Sequence, residues 1–268
     1  MIATKCYYVG MTNSHPNKLK TAVVTGASRG IGRAIALRLG RDGYTVAVHY
    51  GSNEQAALDV VSEITAHDGI AFAFGCDLSV DNVGPTFWRQ YNQAAQRAGF
   101  STAVHVLVNN AGVTLRGVIE EFSDTDFILQ QKINTNAPYF IIRDGLKRLI
   151  DGGRIINISS GATRIAFPEI IGYALTKGAI DTLTLTLAQH LGARRITVNA
   201  VAPGVVDTDI NAGWLRNNQE AMAAVAEDVA LGRVGDPNDV ANVVSFLASD
   251  DASWVTGQVI DATGGTHL

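Results

Sequence analysis

A short apolar run that leads into a cluster of glycines constrains this chain more than any other stretch. Thr21 to Thr25 is β-branched and apolar, which predicts a buried strand. Gly26-Ala-Ser-Arg-Gly-Ile-Gly32 follows, and a helical pattern then continues to about Asp42. Glycines let a backbone approach a bound group closely, and a helix N-terminus offers free N–H groups and a positive dipole end. Strand, glycine-rich turn and helix therefore predict a phosphate-binding site, with a plain tight turn as the alternative.

Strand and helix patterns then alternate along the rest of the chain. Predicted strands cover 44–50, 70–76, 104–108, 153–158, 196–201 and 258–261. Predicted helices cover 53–67, 81–98, 123–149, 172–191 and 236–249, with a weaker helical stretch at 218–230. Continuous alternation of this kind is typical of one parallel sheet with helices on both faces. The sequence predicts a single α/β domain over residues 20–268, built on a doubly wound parallel sheet of about seven strands.

Composition and charge argue against several other classes of protein. The 268 residues are 47% hydrophobic and carry a formal net charge of −4, with acids and bases interspersed. No basic block indicates nucleic acid or a membrane surface, and no apolar run reaches the roughly 18 residues of a membrane span. Cys6 and Cys76 lie far apart, which excludes a disulfide scaffold and favours a reducing, cytoplasmic location. Histidines and cysteines show no metal-ligand spacing, so no metal site is predicted.

Two segments do not follow the alternating pattern. Residues 1–19 are mixed and polar toward their end, lack the apolar core of a signal peptide, and are predicted to form a loosely attached extension. Residues 205–232 have weak patterning and are predicted to form a mobile lid over the site.

The end of the second predicted strand favours one dinucleotide over another. In this arrangement an acidic residue about 20 residues after the glycine loop holds the ribose 2′-hydroxyl of NAD. The chain has His49-Tyr-Gly-Ser-Asn53 there, and no acid before Glu54. Arg29 lies inside the glycine loop, and a guanidinium suits the extra phosphate of NADP. These residues favour NADP(H) over NAD(H), with His49, Ser52 and Asn53 adding hydrogen bonds, unless Arg29 is only a solvated loop charge.

Polar and small residues follow other predicted strands. Asp77 directly follows the third strand, where it either accepts a hydrogen bond from an adenine amino group or caps a helix that starts near Ser79. Asn109-Asn-Ala-Gly112 follows the fourth strand and suits close backbone approach to a ligand. Ala202-Pro-Gly204 follows the sixth strand in the same way.

Tyr173 and Lys177 share one face of the predicted helix 172–191, with Cβ atoms about 5–6 Å apart. A neighbouring cation favours phenolate, so the pair predicts a proton donor or acceptor that works near neutral pH. An isolated pair of this kind is usually a solvated helix face. Asn134 lies inside the predicted helix 123–149, where asparagine competes for backbone hydrogen bonds. A local break is therefore expected there, which would free a carbonyl to bind water.

Together these motifs resemble the short-chain dehydrogenase/reductase family from Lys20 onward, and within it the 3-oxoacyl-(acyl carrier protein) reductase-like subgroup. Residues 25–32 are similar to the family's Thr-Gly-x-x-x-Gly-x-Gly cofactor loop, and residues 109–112 to its strand-four motif. Ser160, Tyr173 and Lys177 reproduce the spacing of its active site. Segments 233–240 and 257–265 resemble C-terminal segments of the subgroup. The resemblance implies a Rossmann-type fold and an NAD(P)-dependent oxidoreductase.

The resemblance also implies what individual residues do. Ser160 and Tyr173 would hold a substrate carbonyl, Tyr173 would donate the proton, and Lys177 would lower the phenol pKa and hold the nicotinamide ribose. Asn134, which the alignment selects over Asn136, would link Lys177 to solvent through its backbone carbonyl and a water. The implied cofactor-binding residues, besides Tyr173 and Lys177, are Gly26, Ser28, Arg29, Gly30, Ile31, Gly32, His49, Tyr50, Ser52, Asn53, Asp77, Leu78, Asn109, Ala111, Gly112, Pro203, Gly204, Val206 and Thr208.

The expected reaction is NADPH-dependent reduction of a small-molecule carbonyl, a 3-oxoacyl thioester or related ketone, to a secondary alcohol. An NAD(H)-dependent dehydrogenase of a sugar, steroid or secondary alcohol is the nearer alternative. A non-catalytic NADP-binding regulator is the other, although an intact active-site set argues against it. Family members are commonly tetramers, so a homotetramer or a dimer is expected. Leucines 183, 185, 187 and 191 fit either an interface or packing on the sheet.

Overall fold

The computed structural model contains one parallel sheet and describes residues 20–268. The predicted extension 1–19 lies outside the described residues. Seven strands lie in the order β3-β2-β1-β4-β5-β6-β7, and each neighbouring pair is parallel. The strands are β1 (Thr21–Val24), β2 (Thr45–Tyr50), β3 (Ile70–Gly75), β4 (Val104–Asn109), β5 (Leu149–Ile158), β6 (Thr197–Pro203) and β7 (Val259–Ala262). The predicted doubly wound sheet is confirmed. Strand order reverses between β1 and β4, which places a ligand crevice at their carboxyl ends.

Helices cover both faces of this sheet. They are α1 (Gly30–Arg41), α2 (Glu54–Ala66), α3 (Val83–Arg97), α4 (Asp124–Gln131), α5 (Ala137–Gly145), α6 (Ile171–Leu191), α7 (Ala212–Leu215), α8 (Gln219–Glu227) and α9 (Pro237–Ala248). Helices α1, α2 and α9 share one core, whereas α3, α5 and α6 share the core on the opposite face. Side chains alternate between these cores along a strand, as Val46 and Val48 enter the first and Ala47 the second. The core therefore holds the strand ends, and the loops that follow them, in fixed positions.

The predicted helix 123–149 is interrupted at its middle, as expected, but the prediction is wrong at its end. A π-helical turn, Lys132–Asn136, separates α4 from α5 and contains Asn134, so the expected local break is present. Helix α5 ends at Gly145, where an added Cβ would lie 2.3 Å from Cζ2 of Trp88. Strand β5 then starts at Leu149 rather than 153, and its pairing with β4 shifts register before Arg154. Gly152 and Gly153 interrupt the hydrophobic pattern, so the sequence did not indicate this early start.

The segment 205–232 contains the short helices α7 and α8. Asn218 caps α8 by accepting a hydrogen bond from the Ala221 N–H at 3.1 Å. Arg216 pairs with both Asp207 and Asp209, at 3.1 and 3.2 Å, and ties α7 to the loop after β6. Within residues 20–268, every helix is too short or too polar to traverse a lipid bilayer.

Candidate active site

The loop after β1 has the backbone shape that a bound phosphate requires. Gly26 has a φ of +61°, and a Cβ there would lie 2.9 Å from Cα of Ala111. A Cβ at Gly32 would lie 2.2 Å from the carbonyl oxygen of Gly26. Arg29 stands at the N-cap of α1 and its side chain makes no capping hydrogen bond, so the first N–H groups of the helix lack a side-chain acceptor. The arrangement is a glycine cradle at the positive end of a helix dipole.

His49 supports this cradle from within the protein. Its ring is 1% exposed, its Nδ1 accepts a hydrogen bond from Gly26 N–H at 3.1 Å, and its Nε2 donates to the Cys76 carbonyl at 2.9 Å. Burial lowers the pKa of His49 to about 4, so the ring is neutral at pH 7. Both ring nitrogens are engaged within the chain. His49 therefore fixes Gly26 in place, and neither nitrogen is left to meet a ligand.

A second set of hydrogen bonds joins the ends of β1 and β4. The Thr25 hydroxyl accepts hydrogen bonds from the N–H groups of Asn110 and Ala111, each at 2.9 Å. The amide Nδ2 of Asn110 donates to the carbonyls of Thr25, at 2.8 Å, and Gly26, at 3.1 Å. Asn110 thus holds the glycine cradle, a role that sequence reasoning missed although the Asn109-Asn110 pair was visible. Asn109 is buried and donates to Asn157 Oδ1 at 2.9 Å, which links β4 to β5.

The other predicted cofactor residues also follow the carboxyl ends of strands. Besides those described, the structure places Ser28, Gly30 and Ile31 after β1, Tyr50, Ser52 and Asn53 at β2, Asp77 and Leu78 after β3, Gly112 after β4, and Pro203, Gly204, Val206 and Thr208 at β6. Arg29, Ser52, Asn53 and Asp77 are exposed. Asn53 caps α2 through the Ala56 N–H at 3.0 Å.

Asp77 and Tyr50 have partners within the chain. Asp77 Oδ1 accepts hydrogen bonds from the N–H and the hydroxyl of Ser79, each at 2.8 Å. This is a local turn, because α3 begins at Val83 rather than near 79. Burial, and then a hydrogen bond with Glu54, raises the pKa of Tyr50 to about 12, so its phenol is neutral at physiological pH.

The loop after β6 closes on the start of α1. A Cβ at Gly30 would lie 3.4 Å from Cγ2 of Thr208, which is itself buried. A Cβ at Gly204 would lie 3.0 Å from Cα of Thr263, so only glycine packs there without displacing its neighbour. The first and last predicted parts of the cofactor site are therefore in contact.

Lys177 is buried between α6 and the end of β5. Its side chain is 4% exposed, and Nζ donates to the Ile158 carbonyl at 2.7 Å. Burial lowers the pKa of Lys177 to about 8, and the carboxylate of Asp181 opposes this by raising it. The ammonium lies 5.5 Å from the centre of the Tyr173 ring. Lys177 is thus charged at pH 7, beside the phenol, with a pKa close to physiological values.

The phenol of Tyr173 faces two hydroxyl groups. Burial raises its pKa, while hydrogen bonds with Ser160 and then Thr114 lower it. The expectation that Lys177 sets this pKa by lowering it is not what the structure shows, because burial dominates and the ammonium is bonded to Ile158. Ser160 itself accepts from the Ala162 N–H at 3.2 Å, which leaves its own proton to donate. Thr114 was not anticipated from the sequence.

Asn134 connects this cluster to the loop after β4. Its Oδ1 accepts from the Val113 N–H at 2.9 Å, and its Nδ2 donates to the Val113 carbonyl at 2.8 Å and to the Thr176 hydroxyl at 3.2 Å. A Cβ at Gly112 would lie 3.3 Å from Asn134 Oδ1 and 3.7 Å from Lys177 Nζ. Asn134 and Lys177 therefore both lie close to Gly112, whereas Asn136 is exposed.

No group of three or more His, Cys, Asp or Glu side chains within residues 20–268 is arranged to hold a metal ion. The site consists instead of hydroxyl, amide and ammonium groups next to a glycine cradle. That set can hold a dinucleotide, donate hydrogen bonds to a carbonyl oxygen and transfer a proton.

The chain belongs to the short-chain dehydrogenase/reductase family and is an NAD(P)-dependent oxidoreductase of that family. The sequence profile described as enoyl-(acyl carrier protein) reductase matches residues 26–267. An uncharacterised oxidoreductase from Methylorubrum extorquens is 41% identical over 255 residues, which are 92% of this chain and 98% of the relative. Versicolorin reductase 1 from Aspergillus parasiticus is 35% identical over 265 residues, 95% of this chain and 99% of the relative.

Solved structures of ketoreductases are also similar. The landomycin C-6 ketoreductase LanV, with bound NADP and rabelomycin, is 43% identical, with a TM-score of 0.84 over 93% of this chain and 96% of LanV. The promiscuous reductase LugOII, which catalyses keto-reduction at C1 during lugdunomycin biosynthesis, is 44% identical, with a TM-score of 0.88 over 93% of this chain and 98% of LugOII.

Proposed function

We propose that this protein uses NADPH to reduce a ketone carried on an aromatic ring system to a secondary alcohol, with Tyr173 as the general acid. The observation that carries the proposal is the convergence of the Tyr173 phenol, the Ser160 hydroxyl and the Lys177 ammonium beside a glycine cradle. These groups match the needs of carbonyl reduction, in which negative charge develops on the carbonyl oxygen and a proton must reach it.

The residues present fit a dinucleotide phosphate. Gly26 and Gly32 leave the space that a Cβ would fill, and the α1 N-terminus lies beside them. Exposed Arg29 would bind the 2′-phosphate, since no carboxylate precedes Glu54 at the end of β2. LanV was solved with bound NADP, which supports NADP(H) binding. When bound, NADPH supplies the hydride that reduces the carbonyl carbon.

The residues of the chain manage the proton and the charge. Ser160 and Tyr173 donate hydrogen bonds to the carbonyl oxygen, and Tyr173 gives its proton to the oxygen as negative charge develops there. Lys177 is charged below pH about 8 and would hold the nicotinamide ribose hydroxyls beside the phenol. Asn134, held at Val113 and Thr176, lies with Lys177 close to Gly112 and would provide the route by which water returns a proton. The assignment of Asn134 rather than Asn136 rests on these hydrogen bonds and on the burial of Asn134, since Asn136 is exposed.

The loops around Tyr173 offer an aromatic and cationic surface to a substrate. Arg116 lies 5.7 Å from the ring of Trp214 in α7 and 3.6 Å from Glu169, which precedes α6. Half-buried Ile165 and Phe167 lie on the segment after Ser160. Segment 205–232 would then close over the substrate as a lid. Hydroxynaphthalene reductase-like protein Arp2 from Metarhizium brunneum, 38% identical over 258 residues, supports an aromatic substrate.

A 3-oxoacyl thioester is the second candidate substrate, because the matching profile, described as enoyl-(acyl carrier protein) reductase, names an enzyme of acyl thioesters. A panel of tetralones, hydroxylated naphthalene ketones and 3-oxoacyl thioesters, each with NADPH and with NADH, tests both. We expect NADPH consumption with the aromatic ketones to exceed that with thioesters, and NADH to be used poorly. A thioester preference would replace the aromatic substrate. If no compound in the panel causes NADPH consumption, the result would favour a non-catalytic NADP-binding regulator. Faster turnover with NADH than with NADPH would favour an NAD(H)-dependent dehydrogenase.

We also propose that the protein is a cytoplasmic homotetramer. Large apolar side chains are exposed on α4, α5 and α6, and at the C-terminal end, namely Ile128, Tyr139, Leu175, Leu185, Trp254 and Leu268. Of the four leucines considered above, Leu191 is buried and Leu183 and Leu187 pack against the core, whereas Leu185 is 63% exposed. Exposed apolar faces of this kind mark contact surfaces. Light scattering tests the assembly, and a monomeric mass would contradict it.

A further inference from the structure

Gln130, next to the last residue of α4, is a polar side chain with no exposed surface. Its Oε1 accepts a hydrogen bond from the Leu115 N–H at 2.7 Å. Its Nε2 is also buried, and finds no hydrogen-bond partner among the described residues. Leaving an amide N–H unpaired in the interior lowers stability, and an apolar residue would avoid that loss. The hydrogen bond to Leu115 is therefore what an amide at this position provides.

Gln130 and Asn134 hold one loop from the same helical segment. Asn134 binds the N–H and the carbonyl of Val113, and Gln130 binds the N–H of Leu115. The loop 110–118 has no helix or strand of its own to fix it. The residue between the two held positions is Thr114, so its place is set by two buried amides on either side.

Thr114 is also where this loop meets the proton donor. Its hydroxyl lies near enough to the Tyr173 phenol to lower the pKa that burial raises. Gln130 contacts the start of α6 as well, because a Cβ at Gly172 would lie 3.2 Å from Gln130 Nε2. One buried side chain thus touches both the loop that carries Thr114 and the helical turn that carries Tyr173.

We propose that Gln130 and Thr114 are positioning residues for Tyr173: Gln130 fixes the loop through Leu115, and the loop presents the Thr114 hydroxyl to the phenol. This inference rests on the proposed function of Tyr173 as the general acid. A hydroxyl that donates to the phenol oxygen stabilises phenolate, which remains after proton transfer in reduction and is required for proton removal in alcohol oxidation. Both directions of the reaction should therefore depend on Thr114.

Thr114→Val tests the contact, because valine keeps the shape of threonine and removes the hydroxyl. Alcohol oxidation is measured against pH in the full-length protein with NADP. We expect kcat at neutral pH to fall about tenfold with KM nearly unchanged, since a hydrogen bond to a charged group is lost. The rise of the rate with pH should move to higher pH, because phenolate forms less readily. Thr114→Ser keeps the hydroxyl and should restore both rate and profile.

Gln130→Met then tests the route from the amide to Thr114, with Gln131→Met as the matched neighbour. We expect Gln130→Met to lower kcat when it is made in wild-type protein. In Thr114→Val protein it should have no further effect, because both changes remove the same interaction, that of the Thr114 hydroxyl with the phenol. Gln131→Met should leave kcat unchanged. A Thr114→Val protein with the wild-type rate and pH profile overturns the inference, and so do multiplicative effects of the two changes. If wild type is active and Tyr173→Phe is inactive, the proposed function holds whether or not the positioning role of Gln130 and Thr114 does. If wild type is inactive, the proposed function and the positioning role are both contradicted.

Discussion

The buried ammonium of Lys177 makes stability depend on pH in a way that one substitution isolates. Burial lowers its pKa from the ordinary value of 10.5 to about 8, and an unfolded chain returns it to the ordinary value. Below pH about 8 both states carry the proton, so the penalty of burying the charge is fully present. Between pH 8 and 10.5 the unfolded state alone binds the proton, and stability therefore rises with pH.

The size of this effect follows from the two pKa values. Each pH unit inside the window adds ~1.4 kcal/mol to the free energy of unfolding. The window from 8 to 10.5 adds about 3 kcal/mol, because the slope is below its full value close to each of the two pKa values. That is a large part of the stability of an ordinary domain, so it is measurable by chemical denaturation.

Lys177→Met removes the titrating group and keeps a side chain of similar length. Urea unfolding of wild type and variant at closely spaced pH values gives the difference in unfolding free energy, from which other titrating groups cancel. We expect the difference to be constant below pH about 8 and to shift in favour of wild type by about 3 kcal/mol by pH 10.5. Lys147→Met, at an exposed lysine, is the matched control and should parallel wild type. A flat difference for Lys177→Met across the whole range would refute the reasoning.

Two further substitutions test the cradle and the π-helical turn. Gly32→Ala places a Cβ 2.2 Å from the Gly26 carbonyl, so NADPH affinity in a fluorescence titration should fall about tenfold or more. Gly192→Ala, where a Cβ meets no atom within 4 Å, should bind NADPH normally, and equal affinity of both variants would contradict the steric argument. Asn134→Ala removes three hydrogen bonds and should cost roughly 2 kcal/mol of stability and most turnover. Asn136→Ala should do neither, and loss of turnover there instead would mean that the assignment is reversed.

Most of the fold could be predicted from the sequence because its signals are local. Buried parallel strands read as short apolar runs, and glycine turns mark where they meet helices. The exception is the β5 start at Leu149, which precedes Gly152 and Gly153 and pairs out of register with β4. A break in pairing of that kind depends on the neighbouring strand, so hydrophobic periodicity does not report it.

In the candidate site, too, residues with a local sequence signal were predicted and residues that depend on distant contacts were not. Ser160, Tyr173 and Lys177 were found from their spacing, and the structure brings all three together. Thr114 and Gln130 were missed, since their contacts join residues that lie far apart in the sequence or depend on which way a buried amide points. No periodic pattern identifies a buried amide that holds a loop.

For His49, the sequence indicated the position of the residue but not the direction in which its ring points. The end of β2 is a position where dinucleotide contacts occur, and the sequence places an imidazole there. Whether that ring faces the ligand or the interior depends on its neighbours in three dimensions. Here the Gly26 N–H and the Cys76 carbonyl take both nitrogens. The pattern predicted the position correctly, and the surrounding packing determined the orientation.

The most direct test of the central claim is turnover by Tyr173→Phe. Phenylalanine keeps the ring and removes the hydroxyl proton that the proposed mechanism transfers to the carbonyl oxygen. We expect the variant to bind NADPH with wild-type affinity, because the glycine cradle and Lys177 are unchanged, and to lose nearly all NADPH consumption with a ketone that wild type reduces. Substantial turnover by this variant, with binding intact, would contradict the assignment of Tyr173 as the acid.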